Sequence, residues 1–173
     1  MLRLILVRHA KSAWDDPGLA DIDRPLAERG LEAAAWIGDT LARLKLVPEI
    51  ILCSPARRTR ETLELAMARL DADLRQGEVV WSDELYEQRD EDYIDVIARD
   101  GGDAGVLMLV GHNPATEETA TLLAGKGDPQ ALARLMDRFP TGAIAVLDFD
   151  VAHWRAAERG TGRLVHFERP PKN

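Results

Sequence analysis

The apolar positions of this chain fall into short β-rich runs separated by stretches of helical spacing. Leu2-Arg3-Leu4-Ile5-Leu6-Val7 is almost wholly apolar, as in a strand covered on both faces, and Arg8 lies at its carboxyl end. A polar loop through Asp21-Ile22-Asp23-Arg24-Pro25 follows. From Leu26 to Leu44, the positions Leu31, Ala34, Ala35, Leu41 and Leu44 sit near helical spacing and predict an amphipathic helix. Glu49-Ile50-Ile51-Leu52-Cys53 reads as a second buried strand. Ser54-Pro55 then supplies an N-cap and a first-turn proline for a helix running to about Leu70.

Further strands are predicted at Glu78–Trp81 and Gly105–Val110, with a helix over Glu91–Arg99 after a short acidic loop. Gly111-His112-Asn113-Pro114 closes the second of these strands, and Asn113 can cap a helix whose first position is Pro114. Ala143–Phe149 and Arg163–Phe167 complete the strands, with a turn at Gly160-Thr161-Gly162. Strands alternating with helices predict a three-layer α/β/α sandwich around a mostly parallel sheet. In such sheets ligands bind beyond the carboxyl ends of the strands. The ends at Arg8-His9, Ser54 and Gly111-His112 carry the most chemically suggestive side chains of the chain.

A length of 173 residues with 46% hydrophobic content suits one domain spanning 1–173. Net charge of -8 and a pI near 5.0 argue against a nucleic-acid partner, which needs a surplus of Lys and Arg to displace counterions. Any phosphate must be captured locally. Cys53 is the only cysteine, so no internal disulfide forms, and a reducing cytoplasm is the expected compartment. Arg8 and His9 end the opening apolar run far short of a signal-peptide core. No later run is long enough for a membrane-spanning helix.

The segment LVRHAKSAW, Leu6 to Trp14, resembles the signature of the histidine phosphatase superfamily, the phosphoglycerate mutase-like enzymes, in which a strand runs into Arg-His-Gly or Arg-His-Ala. SPARRTRET, Ser54 to Thr62, is similar to the family's second arginine block, with Arg58 three residues beyond the proline. VGHNP, Val110 to Pro114, resembles the block that carries the second histidine. DRPLAERG, Asp23 to Gly30, resembles a segment of the short phosphohistidine phosphatase branch. The resemblance implies His9 as nucleophile, with Arg8, Arg58 and His112 binding the phosphoryl group. It implies no cofactor or metal, and a phosphorylated substrate, in that branch a histidine-phosphorylated protein. It also suggests Glu84, in Ser82-Asp83-Glu84-Leu85, as proton donor, with Asp83, Glu87 and the Asp90-Glu91-Asp92 run as alternatives.

The residue chemistry agrees with that assignment. A neutral imidazole can attack phosphorus near pH 7, and two guanidinium groups offer multidentate donors to the equatorial oxygens. A protonated His112 would add a further positive donor. Backbone N–H groups at two helix starts, after Ser54 and Asn113, would point at the same anion. Alternatives are a small-molecule phosphomonoesterase with the same mechanism, a mutase, and a non-catalytic phosphate-binding module.

Other candidates have plainer readings. Arg57 and Arg60 are taken as solvated helix charges, His153 and His166 as structural, and Cys53 as a small core residue. Trp14 and Trp36 are read as core aromatics in preference to a substrate wall. Lys11 and Ser12 fit either a pocket mouth or the start of a loop.

Overall fold

The computed structural model describes residues 1–70 and 77–172. Its strands are β1 (Leu2–Arg8), β2 (Ile50–Cys53), β3 (Glu78–Trp81), β4 (Val106–Gly111), β5 (Ala124–Gly127), β6 (Ile144–Phe149) and β7 (Gly162–Glu168). Among the described residues they form one sheet in the order β3-β2-β4-β1-β6-β7-β5. The pairs β3–β2, β2–β4, β4–β1 and β5–β7 are parallel, and β6 runs antiparallel to both β1 and β7.

The helices are α1 (Glu28–Arg43), α2 (Arg57–Met67), α3 (Glu84–Glu87), α4 (Ile94–Asp100), α5 (Ala115–Leu123) and α6 (Pro129–Asp137). Strand alternation sorts them onto two faces. Leu4 and Leu6 of β1 pack with Val96 and Ile97 of α4, Leu123 of α5 and Leu135 of α6. Ile5 and Val7 point the other way, into a second cluster with Ile37 and Leu41 of α1 and Leu63 and Ala66 of α2. The result is the three-layer sandwich expected from the alternating elements.

The short α3, β5 and α6 escaped the sequence pattern. β5 reads Ala-Gly-Lys-Gly and offers no hydrophobic signature, because it sits at the sheet edge beside β7. Asp128, whose carboxylate accepts from the Ala131 amide at 2.9 Å, and Pro129 start α6. Boundaries also move: the helix expected over Glu91–Arg99 runs Ile94–Asp100, and Pro114 is the N-cap of α5 and not its first residue. Helix α2 begins at Arg57 behind an uncapping Ala56, because Ser54 is turned to another partner described below. Leu31, assigned to the buried stripe of α1, is exposed; Gly30, Ala34, Ile37 and Leu41 form the covered face instead.

Register fixes what meets at the carboxyl edge. Arg8 pairs with Gly111 and Cys53 with Val110, so the residues that follow those strands emerge side by side. The His9 amide donates to Gly111 O at 3.0 Å and the Ser54 amide to Val110 O at 3.1 Å. Because β6 is antiparallel, the loop leading into it arrives at the same edge. There the Gly142 amide donates to the carbonyls of Arg8 and His9, both at 3.1 Å.

Candidate active site

Arg8, His9, Arg58 and His112, drawn from three separate segments, line one open cavity of about 300 Å³. The rings of His9 and His112 lie 5.2 Å apart between centroids, inclined by 56°. His9 Nδ1 is 2.7 Å from Ala10 O. A carbonyl only accepts, so Nδ1 carries the proton and Nε2 keeps its lone pair for attack. Arg8 donates through Nη1 to Phe139 O at 2.8 Å, and its buried Nε has no protein partner. His112 Nε2 is 2.7 Å from Ser54 Oγ, while its buried Nδ1 likewise has none. Hydrogen-bonding capacity is thus left unused on two of the groups that line the cavity.

The model for the histidine phosphatase superfamily (branch 1) matches residues 4–88. An uncharacterized protein of Mycobacterium tuberculosis is 40% identical over 166 residues, 95% of this chain and 99% of its own. A structure from Agrobacterium tumefaciens assigned as the phosphohistidine phosphatase SixA superposes with a TM-score of 0.77 at 35% identity, covering 98% of this chain and 99% of that one. Its counterpart from Nakamurella superposes with a TM-score of 0.76 at 25% identity, covering 98% and 96%. This chain belongs to the histidine phosphatase superfamily.

In this family member the site is more cationic than the four expected residues alone make it. Lys11, Arg24 and Arg89 also line the cavity. Arg24 is buried, donates to Ser12 Oγ and, through Nε, to Ala13 O at 3.1 Å, and stacks 3.3 Å from the ring centre of Trp14. Trp14 itself is 72% exposed, so it is a wall of the cavity and not the core aromatic expected. The stacking explains the departure, since a guanidinium over the indole face offsets the exposure of its other side. Trp36 is half-buried against the α1–α2 core, as expected. Lys11 and Ser12 both belong to the cavity.

Burial, then the charges of Arg58, Arg8 and Arg24, pushes the His9 imidazole down to about 3, against the pull of the Ala10 carbonyl. Burial and the neighbouring His9, Arg58 and Arg89 push His112 down to about 2. Both rings are therefore neutral near pH 7. That suits the role expected of His9 as a nucleophile and departs from the expectation of a protonated His112, because its ring is buried beside the cations Arg58 and Arg89. The positive charge of the cavity comes from its arginines and Lys11, not from imidazole.

The structure does not bring Glu84 to the site. Its carboxylate is held by Arg99 and by Gln88 Nε2 at 2.9 Å, and the hydrogen bond to Arg99 keeps it below the usual carboxylate range. The expected donor is a permanent anion outside the cavity. Its near neighbour Tyr86 points inward instead, edge-on to His112 with ring centroids 5.7 Å apart.

The first-turn amides of α5 are also committed elsewhere: Ala115 N–H donates to Arg89 O and Thr116 N–H to His112 O, at 3.0 and 2.8 Å. These amides are therefore occupied within the protein, against the expectation that they would point at an anion. Asn113 lines the cavity, as its Oδ1 accepts the Glu117 amide at 3.3 Å and its Nδ2 donates to Phe139 O at 3.0 Å. Arg57 and Arg60 stay exposed, and Arg57 pairs with Glu61 at 2.8 Å. His153 and His166 lie away from the cavity. Cys53 is fully buried, and burial raises its thiol far out of the reactive range.

Sequence reasoning missed Arg24, Arg89 and one acid. Asp21, in a short 3-10 turn Asp21–Asp23, is the single carboxylate lining the cavity among the described residues. Its carbonyl accepts from Arg58 Nη1 at 2.7 Å and its Oδ2 from Arg58 Nη2 at 3.1 Å. Asp-x-x-Arg across a polar loop was the available signal, since Asp21 Oδ1 also takes Arg24 Nη1 at 2.9 Å.

Proposed function

We propose that this chain is a metal-independent phosphatase working through a phosphohistidine intermediate on His9, and that its substrates are phosphohistidine side chains of proteins in the cytoplasm. The observation that carries the reading is the state of His9: Nδ1–H tied to Ala10 O, the ring neutral, and Nε2 free in a cavity walled by Arg8 and Arg58. Two structures that match nearly the whole chain, at 35% and 25% identity, bear the assignment phosphohistidine phosphatase.

In the first step His9 Nε2 attacks phosphorus, and the bond from phosphorus to the leaving atom breaks with its electron pair on that atom. Arg8 and Arg58 hold the equatorial oxygens as charge gathers there, and each well-placed donor of this kind lowers a barrier by roughly 3–4 kcal/mol. In the second step water attacks the phosphorus, the P–N bond returns its electrons to Nε2, and inorganic phosphate leaves. A phosphohistidine substrate suits this site because imidazole is a better leaving group than an alkoxide.

The test is incubation with a protein carrying radiolabelled phosphohistidine, followed by alkaline quench and peptide mapping, since phosphohistidine survives base. Label on His9 and its loss in His9→Ala are expected. No turnover of the phosphohistidine protein, with rapid turnover of a sugar or nucleotide phosphate, would move the assignment to small phosphomonoesters.

A further inference from the structure

Asp21 lines the cavity together with Arg58, to which its carboxylate is bonded at 3.1 Å. Its carboxylate has three neighbours: the Tyr86 hydroxyl, which donates to Oδ2 at 2.8 Å, Arg58 at 3.1 Å on the same oxygen, and Arg24 at 2.9 Å on Oδ1. Resting on the phosphatase reading above, we propose that Asp21 is the proton donor to the leaving group, and that the incoming phosphoryl group itself switches it on.

Other acids near the site are committed elsewhere. Glu84 is bound to Arg99, and Glu117 does not line the cavity but accepts from Asn113 Nδ2 at 2.9 Å. The charged or titratable groups facing Asp21 are Arg24 from its own loop, Arg58 from α2, Tyr86 from α3 and His112 after β4, with Arg89 stacked 4.3 Å from the Tyr86 ring centre.

In the empty site burial works to protonate Asp21, but the Tyr86 hydroxyl and the two arginines overcome it and hold the carboxyl down to about 2. Arg58 cannot serve two anions fully. A dianionic phosphoryl group that draws the Arg58 donors to its own oxygens removes a cation from Asp21 and adds negative charge beside it. Both changes raise the proton affinity of the carboxylate. A proton taken up on binding is then held inside the cavity, available to the leaving atom.

The step balances as follows. His9 Nε2 forms its bond to phosphorus, the bond to the leaving oxygen or nitrogen breaks toward that atom, and the Asp21 proton passes to it. In the second step the Asp21 carboxylate takes a proton from the attacking water as the P–Nε2 bond breaks. Asp21 returns protonated, and releases its proton as phosphate departs and Arg58 swings back.

The leaving-group dependence of Asp21→Asn tests this. With p-nitrophenyl phosphate the phenolate departs without a proton, whereas serine phosphate releases an alkoxide that needs one. Loss of kcat by roughly 100-fold or more on serine phosphate is expected, the scale of general acid catalysis, with only a few-fold loss on p-nitrophenyl phosphate. The basic limb of the kcat profile on serine phosphate should vanish in the variant. Asp23→Asn removes the same charge two residues away and should show neither effect.

Equal losses on both esters would overturn the donor and leave Asp21 as a brace for Arg58. Hydrolysis of phosphohistidine by the unaltered protein with neither ester attacked would also overturn it, leaving the phosphatase reading intact. Turnover of none of the three would sink that reading instead.

Discussion

The hydroxyl of Ser54 lies 2.7 Å from Nε2 of His112, although 58 residues separate the two in the chain. Ser54 Oγ accepts, weakly, from the Ala56 amide at 3.3 Å and has its own proton to donate toward the imidazole. That direction makes Nε2 the acceptor and puts the ring proton on Nδ1, the buried atom that lacks a protein partner. A phosphoryl oxygen would meet a donor there. Ser54→Ala should release the tautomer and lower kcat/KM about tenfold, the scale of one neutral hydrogen bond. Nitrogen-15 shifts of the His112 ring give the check: Nδ1 protonated in the parent, a mixture in the variant. An unchanged tautomer would remove Ser54 from this role.

Neutral, buried imidazoles also set how stability varies with acidity. The unfolded chain protonates His9 and His112 near 6.5, whereas the folded chain holds them to about 3 and 2. Between those limits the unfolded state binds more protons, so stability is full above pH 6.5 and is lost as pH falls toward 3. Each group contributes up to about 1.4 kcal/mol per pH unit in that window. Asp21 acts in the same direction only below its unfolded value of 3.8. Urea unfolding at pH 6 and pH 5 measures the slope, and replacing both histidines by asparagine should flatten it. Imidazole signals of His9 or His112 titrating near 6.5 in the folded protein would contradict the neutral pair.

The convergence of Arg8, His9, Arg58 and His112 was legible because strand ends are a property of local pattern: apolar runs stop where the site begins, and parallel register brings the stops together. Side-chain direction inside a short helical turn was not legible in the same way. Glu84 and Tyr86, two positions apart on α3, point to nearly opposite sides, so a choice wrong by two residues exchanges a contact with His112 and Asp21 for a surface ion pair. Asp21 and Trp14 depend on partners far along the chain or across a loop, Arg58 and Arg24, which no periodicity encodes. The protonation state of His112 followed from depth of burial, which a strand-end position alone does not give.

Glu84→Gln supplies a direct check on that correction. Its loss breaks an exposed contact with Arg99, and such solvent-screened pairs add little to stability. Turnover on every substrate should stay within about twofold of the parent, and a shift of less than a few degrees in Tm should accompany it. A selective loss on alkyl esters would restore Glu84 to the chemistry.

The last prediction concerns Gly30, the final residue of the DRPLAERG segment. A Cβ there would lie 2.0 Å from Lys11 O and 3.0 Å from its carbonyl carbon, closer than any side chain can approach backbone. That carbonyl also accepts the Ala27 amide at 2.9 Å, and Ser12 bridges to Leu26, so the start of α1 clamps the loop leaving His9. Alanine in place of glycine would favour the helix by about 1 kcal/mol in isolation. Here the clash wins, because the obstructing atoms are backbone and yield only if the Lys11–Ser12 strand moves, at a cost of roughly 1–3 kcal/mol. Gly30→Ala should thus lower the urea midpoint modestly. It should reduce kcat much more, toward the ~100-fold that an ångström of misplacement can cost, since Lys11, Ser12 and the His9 loop shift together. Measuring both quantities at a temperature where the variant is fully folded separates the two effects, and unchanged kcat would show that the loop tolerates the displacement.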